Sequence, residues 1–500
     1  MNYLSQFGGI LIYSWFCENR PLFDHANKHY SRDIFWFITL VYAAFALTTI
    51  KSNKDTSILN RDQTEEWKGW MQFLFLIYHY FHAKEVYNSI RVFISCYVWM
   101  TGFGNFSFFY IKRDFGFVRF WQMMWRLNFL VFWLIMVHGN TFILYYINPL
   151  HTFYFLMVYA AMYIFSSCNH DKYPVRWKLM VLALVIFFVW DVPGVFQIVW
   201  GFLSSNPIIG ATNGTLHEWH FRSGLDHYSA VFGMAFALNH PMASAWLKAT
   251  EKLPMKTQWL MKGFVICVIG VIMSVWISQV FMLPKFEYND HHPYLFWIPL
   301  TSYIFLRNCT LTLRSYHLSL LTKMGKITLE TYLMQHHIWL TTNAKSLLVF
   351  IPNSPLCNFF FVSLLYLLIS HRLFRLTVGL RAMLIPPDTN AAQILLAAMV
   401  TTLSSIYGCI GGVVIICSLV EWILAPTANA NNDHIGGVAV NIGLGIMILI
   451  VFSLGVLSMD SYHGITVAGS LLGWQEYPTW EEAYSNLHHK IFPSKNSAPV

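Results

Sequence analysis

Charge is scarce in this 500-residue chain: Asp, Glu, Lys and Arg supply 11% of it, against about 25% in a soluble domain. With 56% hydrophobic and 18% aromatic residues, that deficit excludes an ordinary water-soluble protein. No basic run is long enough to track a nucleic-acid backbone, so the net charge of +8 belongs to loops at a membrane surface. The eight cysteines form no CxxC pair, which argues against a disulfide scaffold and a zinc site. HExxH is missing, and so is a glycine-rich phosphate loop. No repeat of fixed period is present. Tyr3–Cys17 is apolar but lacks a basic flank, so it reads as a short first span and not as a cleavable leader.

What remains is a series of apolar runs of about 20 residues, each long enough to cross a bilayer as a helix. Alternating segments of about ten residues, the mark of a barrel, are lacking. The expected fold is all-α, a polytopic transmembrane helical bundle of roughly 12–14 spans. They fall near 3–17, 34–50, 69–83, 90–110, 121–138, 144–166, 178–203, 227–247, 260–283, 294–308, 318–341, 355–374, 394–424 and 436–458. The span at 178–203 carries Asp191 and Pro193 and is expected to kink or break. Residues 1–458 form one membrane domain, and 459–500 a polar tail with no assigned role.

Lys and Arg concentrate in alternate loops, at 51–68, 112–119, 172–178, 248–262, 307–314 and 372–381. By the positive-inside rule these are cytoplasmic. The intervening loops then face a lumen, including 204–226, 284–293 and the segment after Leu340. The first lumenal loop, with Arg20, Lys28 and Arg32, is the exception. Asn213-Gly-Thr215 is a glycosylation sequon on the lumenal side.

Ionisable groups inside this apolar frame are the candidates for function, because each is costly in hydrocarbon. Gly325–Leu340, GKITLETYLMQHHIWL, holds Lys326, Glu330, Gln335, His336 and His337. On one helix Lys326, Glu330 and His337 share a face, and Lys326 to His337 covers about 16 Å. A second cluster is HEWHFRSGLDHY at 217–228, with Glu218, His220, Arg222 and Asp226. A third is EYNDHHP at 287–293 and a fourth Tyr78-His79-Tyr80 with Glu85 and Arg91. Histidine, carboxylate and arginine together suit acid–base or acyl-transfer chemistry. Metal binding competes, but the His217/His220 spacing is poor for a helical ligand pair and no metal is expected. Asn105 and Arg126 either line a cavity or bridge helices. Arg307 and Arg314, seven apart, suit a phosphate-bearing donor with Lys323 and Lys326, and serve equally as membrane anchors.

Seven stretches carry a family resemblance: RDQTEEWKGWMQ at 61–72, IRVFISCYVWMTGFGNFSFFY at 90–110, RLNFLV at 126–131, LHEWHFRSGLDHY at 216–228, HPY at 292–294, LRN at 306–308 and the stretch at 325–340. Over roughly Arg32 to Pro386 the chain resembles the multi-span acyltransferases of fungal capsule O-acetylation, animal sialate O-acetylation and plant reduced wall acetylation. The plant group looks closest, with His217 and His220 as its marks. The resemblance implies a multi-pass Golgi protein that moves acetyl groups from cytosolic acetyl-CoA to polysaccharide hydroxyls in the lumen. Transfer is direct or passes through a separate lumenal acetyltransferase, since a GDS serine-esterase motif is missing. The family pattern selects Glu218, Arg222, Asp226, His292 and His337 as catalytic. His337 is expected to be base or acyl carrier with Glu330 as its orienter, and Arg307, Arg314 and Lys326 hold the coenzyme. His79, Asn105, Arg126, His220 and Gln335 complete the cavity candidates. The alternative is a carrier that moves acetyl-CoA or another acetyl donor across the Golgi membrane and catalyses nothing.

Overall fold

The computed structural model describes residues 2–18, 23–206, 209–211 and 214–385. The chain divides into two compact units, Gln6–Val400 and a second made of Met1–Ser5 with Thr401–Val500. The first unit carries the described helices and strands, apart from the opening residues of the first helix. The spans expected at 394–424 and 436–458, the tail and Asn213 lie outside the described residues.

Helices dominate. In chain order they are α1 (Asn2–Glu18), α2 (Arg32–Leu47), α3 (Arg61–Phe81), α4 (Tyr87–Lys112), α5 (Phe117–His138), α6 (Ile147–Tyr163), α7 (Lys172–Trp190) and α8 (Val195–Trp200). Then come α9 (His217–Gly224), α10 (Ser229–Glu251), α11 (Met255–Trp276), α12 (Lys285–Leu295), α13 (Trp297–Asn308), α14 (Leu311–Arg314), α15 (Ser319–Lys326), α16 (Thr328–Ile338) and α17 (Pro355–Leu384). Among the described residues five helical stretches are long and apolar enough to cross a bilayer: Lys84–Lys112, Phe117–His138, Lys172–Trp190, Met255–Phe281 and Pro355–Met383. The others are too short or too polar to meet that standard alone, so among the described residues five stretches stand where roughly 12–14 spans are expected from the sequence over the whole chain.

The fold is not purely helical. Strands β1 (Asp24–Asn27), β2 (Ile50–Ser52), β3 (Tyr316–Leu318), β4 (Leu340–Thr341) and β5 (Ser346–Val349) form two small antiparallel sheets. In one, β5 lies between β1 and β4, with Asp24 opposite Val349 and Leu340 opposite Leu347. In the other β2 pairs with β3, Ile50 opposite Leu318. The sheets sit at opposite ends of α3, a helix about 32 Å long. At its start Asn60 caps the helix by accepting from the Gln63 amide at 2.9 Å, and Asn53 donates to the Arg314 carbonyl at 2.7 Å. At its other end the Lys28 ammonium donates to the His79 carbonyl at 2.8 Å. Each sheet joins segments that the charge pattern assigns to one side. The loop with Lys28 and Arg32 therefore lies on the same side as the segment at 346–349.

Two tight crossings hold the centre. A Cβ on Gly69 would lie 1.9 Å from the Leu321 carbonyl oxygen, and one on Gly325 would lie 1.9 Å from that of Glu65. Only glycine lets α3 and α15 touch backbone to backbone in this reciprocal way. Gly102 and Gly233 serve the α4–α10 crossing likewise.

Two expected spans are interrupted. α7 stops at Trp190 and the chain turns through Gly194 at φ +84° before α8, as Asp191 and Pro193 foretold. The helix expected over 318–341 is two helices, broken at Ile327, whose φ of −103° and ψ of 18° lie outside the α region. Lys326 ends α15 and is exposed, whereas Glu330 and His337 on α16 are fully buried. Lys326 therefore does not share their face.

Candidate active site

His337 is the hub of a buried polar cluster built from α1, α5, α16 and the turn before α6. Its Nδ1 lies 2.7 Å from Glu18 Oε1, and its Nε2 is hydrogen-bonded to the Tyr145 hydroxyl. Glu18 Oε2 also accepts the Thr342 amide at 2.7 Å, so the carboxylate is held at both oxygens. A carboxylate only accepts, so Nδ1 carries the proton. Nε2 is then the bare nitrogen and accepts from Tyr145 O–H. This orders a carboxylate, an imidazole and a hydroxyl as in a hydrolytic triad, with a phenol in the serine position.

The His138 ring lies on that of His337, with centroids 3.8 Å apart and planes within 5°. Ser14 donates to the Leu11 carbonyl at 2.7 Å, so its hydroxyl oxygen accepts from His138 Nε2 at 3.1 Å. Glu18, His138 and His337 offer ligand atoms within 4.8 Å of one another, a spacing that a metal ion would accept. The ring planes argue against one. An imidazole lone pair lies in its ring plane, and two parallel stacked planes share no point at which one ion could serve both.

Glu330 does not orient His337. Its carboxylate is taken by the Arg126 guanidinium, through Nη1 and through Nη2 at 3.0 Å, and by the Thr377 hydroxyl at 3.2 Å. Arg126 and Glu330 thus tie α5 to α16 and α17, and the orienting carboxylate is that of Glu18. Sequence reasoning missed Glu18, His138 and Tyr145. The signal for the first two was a polar residue closing each of two apolar runs; nothing marked Tyr145.

His292 and Asp226 do come together, in a second buried network. Asp226 Oδ2 accepts from Arg91 at 2.7 Å and Oδ1 from Ser95 at 2.5 Å. Ser95 Oγ lies 2.8 Å from His292 Nε2, and the Tyr288 hydroxyl lies 2.9 Å from His292 Nδ1. Paired with Arg91, Asp226 is an acceptor, so the Ser95 proton points at it and His292 Nε2–H donates to Ser95. Nδ1 then accepts from Tyr288. In this state His292 is not a base toward Ser95; the chain of bonds clamps α4, α12 and the α9–α10 junction together.

The remaining candidates separate. Glu218 and Arg222 pair at 3.0 Å on partly exposed α9, with the guanidinium 4.3 Å from the Tyr146 ring centroid. His220 Nε2 lies 3.2 Å from the Trp190 carbonyl, and Asn105 donates to the Thr101 carbonyl of its own helix. His79 Nδ1 meets Gln335 Oε1 at 3.2 Å. Of the fourth cluster, Glu85 lies apart in an exposed pair with Arg32, and Arg91 belongs to the Asp226 network. The four clusters thus belong to several networks. Tyr145 and Tyr146 lie between them, the first on His337 and the second against Arg222.

At the other end, Arg307 is bound by Glu66 at 3.1 Å and by the Leu313 and Tyr316 carbonyls. Arg314 is bound by Glu251 at 2.5 Å and by the Asn308 carbonyl. Both guanidiniums are already neutralised, which corrects their expected place as phosphate-holding groups. Lys323 and Lys326 are exposed.

This architecture has a known sequence counterpart. Residues 1–397 match the model of the 10 TM acyl transferase domain found in Cas1p. The chain belongs to that acyltransferase family. It is similar to the N-acetylneuraminate (7)9-O-acetyltransferase of Danio rerio, with 34% identity over 400 residues covering 76% of this chain. The chain spans 50% of that protein's length. No solved structure matches. An animal relative of this kind overturns the plant-type placement drawn from His217 and His220. Two histidines on an eight-residue helix are too little to fix a branch, and His220 has a local part in bonding the end of α7.

Proposed function

We propose that this membrane acyltransferase moves the acetyl group of cytosolic acetyl-CoA to a sugar hydroxyl in the Golgi lumen. The observation that carries the reading is the ordered set Glu18–His337–Tyr145. His337 Nε2, bare and fixed by the Glu18 carboxylate, takes the proton of an acceptor hydroxyl that replaces the Tyr145 contact. The acceptor oxygen attacks the thioester carbonyl, and Tyr145 O–H hydrogen-bonds the developing oxyanion. The imidazolium, held by Glu18, then returns the proton to the coenzyme thiolate. The products are an O-acetyl sugar and free coenzyme A. Of the four cations expected to meet the coenzyme phosphates, Lys323 and Lys326 are the exposed ones. Polysaccharide is the proposed acceptor class, reached directly or through a lumenal transferase. N-acetylneuraminate, the sugar in the relative's name, is the first defined acceptor to assay.

Sealed vesicles carrying the full chain decide between transfer and carriage. Acetyl-CoA labelled in both acetyl and adenine is supplied outside. Acetyl label on lumenal glycan, with adenine label left outside, is the expected result. Adenine label accumulating inside without glycan acetylation would overturn it in favour of a carrier.

A further inference from the structure

We propose that Gln335 and His336, walled by His79, form a subsite that binds paired hydroxyl groups of the acceptor sugar beside His337. The proposal rests on the transfer reading above and adds the groups that hold the acceptor.

His336 is 5% exposed, and neither of its ring nitrogens has a hydrogen-bond partner among the described residues. Gln335 is fully buried; its Oε1 is engaged by His79 Nδ1, and its Nε2 has no partner among them. Buried polar groups are almost always paired, and an apolar side chain at either position would avoid the cost of leaving them open. Among the described residues with an unpartnered buried polar atom, His336 is the one with two, and Gln335 adjoins it on α16; a polar occupant explains the pair.

Their hydrogen-bonding capacity defines the occupant. A neutral imidazole has one N–H and one lone pair, and the amide end of Gln335 has two N–H groups. Neighbouring hydroxyls match this set. One O–H donates to the bare nitrogen of His336, while His336 N–H and Gln335 N–H donate to the hydroxyl oxygens. The trio carries no formal charge, and the nearby Lys28 ammonium is bound to the His79 carbonyl, so a phosphate is the poorer fit. Aromatic and imidazole rings surround the pair. Around the His336 ring lie Tyr145 at 5.5 Å, Tyr332 at 5.6 Å, His337 at 6.3 Å and His79 at 6.5 Å, centroid to centroid. Aromatic faces pack against the C–H face of a pyranose, and Tyr145 is the group whose hydroxyl touches His337 Nε2. The His336 and His337 rings lie 6.3 Å apart, centroid to centroid, so the proposed occupant is placed beside the base.

The test is the full chain in microsomes, with acetyl-labelled acetyl-CoA outside and label on endogenous lumenal glycan as the readout. His336→Leu and Gln335→Leu are expected to lower labelling tenfold or more, about the factor for one or two lost hydrogen bonds. Their thermal midpoints are expected to stay at or above wild type, because an unpaired polar group has been removed. His336→Gln, which keeps a donor and an acceptor, is expected to recover much of the labelling. Wild-type labelling in His336→Leu would overturn the proposal and leave an ordered water only. A lowered midpoint together with lowered labelling would also overturn it, by showing a structural role. Absence of label with the wild-type chain sinks the transfer reading itself, an outcome distinct from both.

Discussion

Glu18 and His337 stand 319 positions apart in the chain and 2.7 Å apart in space. The contact joins the end of the first apolar helix to the end of α16, and β1 and β5 pair beside it. A carboxylate on Nδ1 leaves Nε2 bare, which is the state a base needs. Glu18→Gln keeps the size and removes the charge that steadies the imidazolium. Acetyl transfer is expected to fall on the order of 10²–10⁴-fold, with little change in the donor KM. Rates in sealed vesicles check this, and a wild-type rate would take Glu18 out of the chemistry.

Asp226 and Arg91 are both buried, and each is the other's charge partner. Asp226→Asn strands the guanidinium, and the expected loss is about 3–5 kcal/mol. Arg91→Met combined with Asp226→Leu removes both charges and is expected to regain most of it. Thermal unfolding in detergent measures both. A single variant as stable as wild type would mean that the pair does not clamp α4 to the α9–α10 junction.

Gly325 presses on the Glu65 carbonyl, whereas Gly263 on α11 has open space where a Cβ would go. Gly325→Val is expected to cost about 1–3 kcal/mol or more through overpacking. Gly263→Ala is expected to be neutral or to gain up to about 1 kcal/mol from helix propensity. Matched unfolding curves separate the two.

Burial pushes the Lys28 ammonium down to about 8 from its ordinary 10.5. The folded protein therefore binds fewer protons here than the unfolded chain between those values, and this group's contribution to stability rises with pH across that window. Below it the cost of holding the charge is constant. Lys28 is also expected to react with an amine-directed acylating reagent near pH 8 faster than exposed Lys323. Peptide mapping of the labelled protein reads this, and equal rates would place Lys28 in open solvent.

The sequence made much of this site legible, for a plain physical reason. A charge or an imidazole in an apolar run is expensive, so Glu330, His337, Asp226 and His292 stand out, and all four are buried. Which group pairs with which did not stand out. Spacing along a helix suggested that Glu330 serves His337, because sequence shows neighbours on one element only. The true partners, Glu18 for His337 and Arg126 for Glu330, come from other helices. Ser95 and Tyr145 are ordinary residues until the fold places them. The break at Ile327 was hidden because no proline marks it, while the one at Asp191 was visible because Pro193 does. The two small sheets pair 24–27 with 346–349 and 50–52 with 316–318, segments that the charge pattern groups together.

The most direct measurement is acetyl transfer by His337→Ala, in vesicles sealed around the full chain and supplied with labelled acetyl-CoA outside. The protein is checked first for a wild-type melting profile. Loss of lumenal acetyl label, with the fold retained, is the expected result. Transfer at the wild-type rate from the folded variant would contradict the account.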